Sequence, residues 1–433
     1  MKTPEMLARE ARQASIPLCA LSADVRNRAL LAIADALIAN SEKIFAANRE
    51  DMARAQAESL AAPLLARLRF DEKKLAAVVQ GLRSLAALPD PLGATQMATE
   101  LSPGLELYRV ACPIGVIGVI FESRPDALVQ IASLCLKSGN AALLKGGREA
   151  LLTNRALFSA LYQAVTGAGA PAGCLALLKT RDDVGAILKL DECIDLIIPR
   201  GSNAFVKYIM DNSRIPVMGH ADGICHVYVD AQADLEIAVS IAVDSKVQSV
   251  AVCNALETLL VHQSVAPAFL PRLKSAMEAA GVSLRGCART QAIIACAEAT
   301  EADWHTEYLD YVLAVRVVDS LDDAIAHINA YGSGHTDCIV TQEAAAAARF
   351  MALVDSAGVY QNCSTRFADG YRYGFGAEVG IATGKVHARG PMGLDGLCIY
   401  KYKLIGSGQT VQPYADGRAA FTHRPLAKDC PYR

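Results

Sequence analysis

Residues 116–145 read VIGVIFESRPDALVQIASLCLKSGNAALLK, and this stretch decides the fold. VIGVIF is apolar without alternation, as in a strand covered on both faces. PDALVQIASLCLKSG then carries a helical pattern, with Pro at its start and Gly as its C-cap. AALLK is a second short apolar run. Strand, helix and strand in that order make a βαβ unit with parallel strands.

The same rhythm continues toward the C-terminus. REALLTNRALFSALYQAV reads as a helix, CLALLK as a strand, and IDLIIP as another strand after a short helix. GSNAFVKYIM is a helix, followed by IPVMG and ICHVYV. A second α/β pattern runs from ALETLLVH through SVAPAFLPRLKSAMEAAG, AVRVVDSLDDAIAHINAYGSG and CIVTQEAAAAARFMALVDSAG. Both imply parallel sheets with helices on their faces, and in such sheets ligands are expected beyond the carboxyl ends of the strands. Lys145, Arg200 and Gly201 stand at such ends. The segment 363–408 is Gly-rich with little periodicity, as functional loops often are. The last residues read as an extended tail.

Toward the N-terminus two amphipathic helices are expected. Ser22 caps one, with Leu30, Ile33, Ala34, Leu37 and Ile38 on one face. Asp71 caps the other, with Leu75, Val78, Val79 and Leu82 inward. LPDPLGATQ separates them from LELYRVACPIG, which reads as a hairpin or edge strand.

The 433 residues suffice for two or three domains. The net charge of −3 argues against a nucleic-acid surface but leaves room for a local cationic pocket. The N-terminus lacks the apolar core of a signal peptide, and Ile114 to Phe121 is too short to span a bilayer. The 13 cysteines show no CxxC pair and no zinc-like spacing, so no metal site is expected. They read as free thiols of a cytoplasmic protein.

No GxGxxG follows any expected strand, so the usual dinucleotide fingerprint is missing. Two other turns could hold an anion. One is KGGR: Lys145 at a strand end, Gly146 and Gly147 allowing close approach, and Arg148 opening a helix. The other is RGSN, where Gly201 and Ser202 start a helix whose N–H groups point outward. Against each stands a plain alternative, a solvated lysine or an ordinary helix cap.

The stretches PIGVIGVIFESRPDA, LLKGGREALLTN, GHADGICHVYVDAQADLEIA, VCNALETLLVH, STRFADGYRYGFGAEVGIAT and KVHARGPMGLDGL, in this order, resemble the gamma-glutamyl phosphate reductase (glutamate-5-semialdehyde dehydrogenase) family of the aldehyde dehydrogenase superfamily. The resemblance implies two doubly wound α/β domains plus a small oligomerisation flap. It implies a cofactor domain over residues 1–94 and 109–249 and a catalytic domain over 250–390. The flap covers 95–108 and 391–415, and the tail 416–433. The implied activity is NADPH-dependent reduction of L-glutamyl 5-phosphate to glutamate 5-semialdehyde and phosphate through a cysteine thioester, in proline synthesis. A homo-oligomer without membrane or nucleic-acid partners is implied, in a stand-alone form that could contact glutamate 5-kinase.

Carried over position by position, the resemblance makes Cys253 the nucleophile. Its backbone N–H is a candidate oxyanion donor, with Asn254 and Ser123 as further candidates. Lys145 is assigned to the cofactor ribose, Gly147 to the same turn, and Arg148 to the 2′-phosphate of NADPH. Gly201 and Ser202 fall near the pyrophosphate, and Glu307 at the nicotinamide ribose. His220 stands about where hydrolytic relatives place a glutamate base. It either contacts substrate or makes structural hydrogen bonds. Arg124, Arg366 and Arg389 are candidates for the substrate's phosphate and carboxylate, and each could instead brace a loop. The run QSVAVC before the nucleophile and Cys363 in NCSTRF depart from the family pattern. Two rival readings remain: another acyl reductase or aldehyde oxidase of the superfamily, and a non-catalytic binding protein.

Overall fold

The structure is a computed structural model. It describes residues 2–432 apart from 61, 180, 181, 221, 377 and 386. The chain forms two compact units, residues 1–218 with 393–433, and residues 219–392.

The first unit is built on a four-stranded parallel sheet. Its spatial order is Leu175–Leu177, Ala141–Lys145, Val116–Phe121, Leu196–Arg200. In chain order these strands are third, second, first and fourth. The order therefore reverses direction between Val116–Phe121 and Leu196–Arg200, and the crevice beyond that pair is the switch point of a doubly wound sheet. Every residue of Val116–Phe121 and Ala141–Lys145 is buried, as their unbroken apolar runs require.

Helix Pro125–Lys137 ends at Gly139, whose φ of 72° closes the last turn, with the Asn140 N–H donating to the Cys135 carbonyl at 2.8 Å. A Cβ at Gly139 would meet Leu92 at 2.8 Å and Pro113 at 2.9 Å, so glycine is required twice over. The expected caps are present: Ser22 accepts from the Val25 N–H and Asp71 from the Lys74 N–H. The N-terminal region holds more helices than expected, Pro4–Cys19, Ala23–Ala39, Ser41–Ala57, Ala62–Leu68 and Glu72–Ala87.

LELYRVACPIG supplies the second strand of a hairpin and is not an edge. Leu105–Pro113 is an inner strand between Thr95–Ser102 and Cys398–Ile405, antiparallel to both. The tail adds Arg424–Pro425 to the far side of Thr95–Ser102. The first partner of Leu105–Pro113 is the adjoining strand of a hairpin, but its second, Cys398–Ile405, is nearly 300 residues away, and local periodicity could not assign that one.

The second unit is a seven-stranded all-parallel sheet. Its order is Ala297–Glu298, Ser283–Gly286, Val312–Val318, Leu256–His262, Cys225–Val229, Thr336–Val340, Gly358–Gln361. Alternate residues feed two separate cores. Val227, Val229, Leu259, Val261, Val315 and Val317 pack with helices Leu235–Val247 and Ala266–Ala279. Tyr228, Leu260, Val318 and Ile339 pack with Leu321–Tyr331 and Ala344–Leu353. The period of two along each strand covers both faces of the sheet.

The domain boundary expected at residue 249 falls instead at 218. Strand Cys225–Val229 is hydrogen-bonded to Leu256–His262 and Thr336–Val340, which makes it central to the second sheet. An apolar run does not reveal which sheet it will join.

Candidate active site

In the first unit the expected cofactor residues gather at the carboxyl ends of the four-stranded sheet. Lys145 closes its strand and is 8% exposed, with Nζ donating to the Gly146 carbonyl. A Cβ at Gly146 would collide with the Asn154 amide at 2.1 Å, and one at Gly147 with the Glu149 carboxylate at 1.9 Å. A side chain at either position would have to displace the Asn154 amide or the Glu149 carboxylate.

Buried Asp51 holds this turn from behind. It accepts from the Thr153 N–H and hydroxyl, both at 2.8 Å, while Arg54 donates to the Arg148 carbonyl at 3.2 Å. Arg148 itself points outward. Its side chain is 86% exposed and paired with Glu58 at 3.0 Å. Such a surface pair is worth about 0–1 kcal/mol, so a phosphate dianion could compete for the guanidinium.

The second turn lies at the switch point. The Ser202 N–H, at the start of helix Asn203–Asn212, donates to the Glu122 carboxylate at 3.1 Å. A Cβ on Gly201 would meet the same carboxylate at 2.5 Å. A carboxylate thus stands at the helix start where an anionic ligand was expected. Ser123, beside it, has φ 47°, and its N–H and hydroxyl both donate to Glu149. Arg124 pairs with Asp126 at 3.0 Å, on the first turn of its own helix. Ser123 and Arg124 are thus both engaged by carboxylates within this unit.

In the second unit the reactive cluster lies at the amino ends of the strands. Cys253 sits just before Leu256–His262, His335 just before Thr336–Val340, and His220 ahead of Cys225–Val229. His335 Nε2 lies 3.2 Å from Cys253 Sγ. The sulfur belongs to a partly exposed residue while the imidazole is fully buried.

Burial, reinforced by the neighbouring His220 ring, pushes the His335 pKa down to about 3. It is a neutral imidazole at physiological pH, with Nδ1 hydrogen-bonded to the Thr336 hydroxyl at 2.9 Å. The His220 ring meets it edge to face, centroids 5.0 Å apart. Arg366, 9% exposed, donates from Nε to Gln248 at 2.8 Å. Burial lowers its pKa, whereas negative charge on Cys253 favours its charged form.

The backbone of Cys253 is wedged. A Cβ on Gly223 would lie 2.1 Å from its carbonyl oxygen and 2.5 Å from its Cα, so only glycine fits there. The Asn254 side chain donates to the Ala368 carbonyl at 2.8 Å, and the Thr365 hydroxyl donates to the Asn254 carbonyl at 2.7 Å. Asn254, expected at the oxyanion, is seen tying the cysteine turn to the 365–368 segment.

Arg389 likewise braces a loop. Its three guanidinium nitrogens reach the Thr383 carbonyl, the Asp355 carboxylate and the Asp355 carbonyl. Glu307 lies near a buried ion pair, Lys246 to Glu257 at 2.6 Å, and its charge is felt by both partners. Burial drives Glu257 up to about 7, with Lys246 opposing the shift. The Glu257 carboxylate also accepts from the Leu309 N–H at 3.3 Å, which anchors the segment carrying Glu307.

Residues 3–311 match the aldehyde dehydrogenase family model. The chain belongs to the aldehyde dehydrogenase family. It is 63% identical over 423 residues to the gamma-glutamyl phosphate reductase of Pelotomaculum thermopropionicum, covering 98% of each chain. It is 59% identical to that of Acetivibrio thermocellus, over 98% of this chain and 99% of the relative. The crystal structure of gamma-glutamyl phosphate reductase from Thermotoga maritima superposes with a TM-score of 0.93 at 38% identity, over 94% of this chain and all of that one. This aldehyde dehydrogenase fold is the α/β architecture expected from the strand–helix alternation.

Sequence reasoning missed His335. It lies 82 residues from Cys253 in a loop between a helix and a strand, where a lone histidine carries no local signal. The expectation of no metal-ligand set came from spacing alone. Here His220, Cys253 and His335 converge from three separate strand starts.

Proposed function

We propose that the chain reduces L-glutamyl 5-phosphate to L-glutamate 5-semialdehyde and phosphate, with NADPH as reductant, as the second step of proline synthesis from glutamate in the cytoplasm. The names of its relatives support the substrate. The observation that carries the chemistry is the sulfur of the partly exposed residue Cys253, 3.2 Å from a buried neutral imidazole and near the Arg366 charge. Among the described residues no helix is long and apolar enough to cross a membrane.

The Cys253 thiolate attacks the acyl-phosphate carbonyl. The C–O bond to phosphate breaks, phosphate leaves with the electron pair, and a thioester remains on sulfur. NADPH, when bound, supplies the hydride that reduces the thioester carbon. The C–S bond then breaks, the aldehyde carbonyl forms and the thiolate is regained.

His335 orients the sulfur. Its depressed basicity makes it a poor store for the thiol proton, so the nearby Arg366 charge is the stabiliser of the thiolate. The Cys253 N–H is assigned to the oxyanion. Lys145, the 146–147 turn and Arg148 are assigned to the ribose and 2′-phosphate, Gly201 and Ser202 to the pyrophosphate, and Glu307 to the nicotinamide ribose. The Ser202 N–H already holds a carboxylate, so Glu122 has to swing aside for a pyrophosphate to take its place. His220 and Arg366 are assigned to the substrate's anionic groups.

Run in reverse, glutamate semialdehyde with NADP should give NADPH only when phosphate is present. Equal rates without phosphate would point to an aldehyde oxidase. Cys253→Ala should abolish turnover, and retained turnover would remove the thioester route.

A further inference from the structure

We propose that His220, Cys253 and His335 form a site for a thiophilic divalent cation of the zinc class. The donor atoms of these three residues all lie within 4.8 Å of one another. Zinc binds imidazole nitrogen at about 2.0–2.1 Å and thiolate at about 2.3 Å, which holds tetrahedral N and S ligands roughly 3.6 Å apart. The Cys253–His335 edge, at 3.2 Å, is already near ligand spacing. His220 then completes the set with a small inward shift.

The surroundings of both rings fit this use. His220 Nδ1 faces the Asp222 carbonyl at 3.3 Å, and His335 Nδ1 faces the Thr336 hydroxyl at 2.9 Å. With Nδ1–H donated to oxygen, each Nε2 carries the lone pair a cation needs, and oxygen partners of this kind orient metal-binding imidazoles. The two ring planes stand at 89° to one another.

Binding replaces the thiol proton, which leaves to solvent, with an S–metal bond. No oxidation state changes. Three protein ligands leave a fourth position for water or an anion, and a two-histidine, one-cysteine set suits zinc and cobalt better than magnesium or calcium. The consequence for turnover rests on the function proposed above: a sulfur held by the cation cannot attack an acyl phosphate, so the enzyme is blocked reversibly.

The test titrates Co²⁺ into the chelator-treated full chain under a non-thiol reductant. One equivalent should bind, with a sulfur-to-cobalt charge-transfer band in the near ultraviolet. The band should vanish in Cys253→Ser. Affinity should fall by about tenfold or more in His220→Ala and in His335→Gln. Zn²⁺ should displace the cobalt and stop turnover, and a chelator should restore it.

Because buried His335 could matter for folding, the less buried His220 variant is the deciding one, with its circular dichroism checked. Co²⁺ binding unchanged in His220→Ala or Cys253→Ser, or no stoichiometric band in the parent protein, overturns the site. Loss of turnover in Cys253→Ala without metal binding to the parent protein would sink this inference alone. Binding with turnover retained in Cys253→Ala would keep the cation site and sink the thioester route.

Discussion

The Cα of Gly223 lies so close to the Cys253 peptide that a single added methyl would sit 2.1 Å from the cysteine carbonyl oxygen. The Cys253 backbone is thereby set from a segment 30 residues earlier in the chain. Gly223→Ala must push that peptide away. Overpacking of this kind costs about 1–3 kcal/mol in stability. If Cys253 is the nucleophile proposed above, its displacement should cost more, on the order of 10²-fold in turnover. Steady-state kinetics beside a thermal melt checks both numbers; a full-rate Gly223→Ala enzyme would show that the contact does not position the sulfur.

The exposed Arg148 should set the choice between NADPH and NADH. A charged hydrogen bond to phosphate is worth about 1.5–3 kcal/mol, or roughly 10- to 100-fold. Arg148→Glu should therefore lower kcat/KM for NADPH by about that factor and leave NADH nearly untouched. An unchanged ratio of the two would remove the 2′-phosphate assignment.

His335 makes a prediction about acid. Its folded pKa of about 3 lies below the unfolded value of about 6.5, so the folded state resists protonation. The stability this contributes is present above pH 6.5 and is lost as pH falls toward 3. His327, pushed down to about 2 chiefly by burial, acts in the same direction. At pH 5 each loses about 2 kcal/mol relative to neutral pH. Urea midpoints at pH 7 and pH 5 should show the drop, and His335→Gln should lessen it.

Strand Cys398–Ile405 lies at an edge of its sheet and exposes Ile399, Tyr400, Tyr402 and Leu404. An open edge with large apolar side chains invites pairing with another chain. We expect a homo-oligomer joined through this strand. Light scattering of the parent protein should give a mass above that of one chain, and Leu404→Lys should reduce it. A parent protein that scatters as a monomer at micromolar concentration would refute this expectation.

The buried Lys246–Glu257 pair should be unforgiving. Removing one partner leaves the other charge stranded in the core, at a cost of about 3–5 kcal/mol. Glu257→Gln should lower the melting point far more than replacing the exposed Glu58. Equal shifts would mean that the pair carries no structural weight.

By itself the sequence determined the local order of elements. The short apolar runs of 116–121 and 141–144, bounded by turn signals, read as strands covered on both faces, and Ser22 and Asp71 as caps, because side-chain period and backbone capping act within one turn or one strand. The long ordered motifs also singled out Cys253 from 13 cysteines, which periodicity could not do. Only the tertiary structure decided which sheet Cys225–Val229 joins and that Cys398–Ile405 flanks Leu105–Pro113. It alone set His335 against the sulfur and gave Asn254 and Arg389 to loop bracing. Those outcomes depend on contacts between residues tens to hundreds of positions apart. No local pattern encodes such contacts, since they follow from how whole strands pair and from which atoms then meet at their ends.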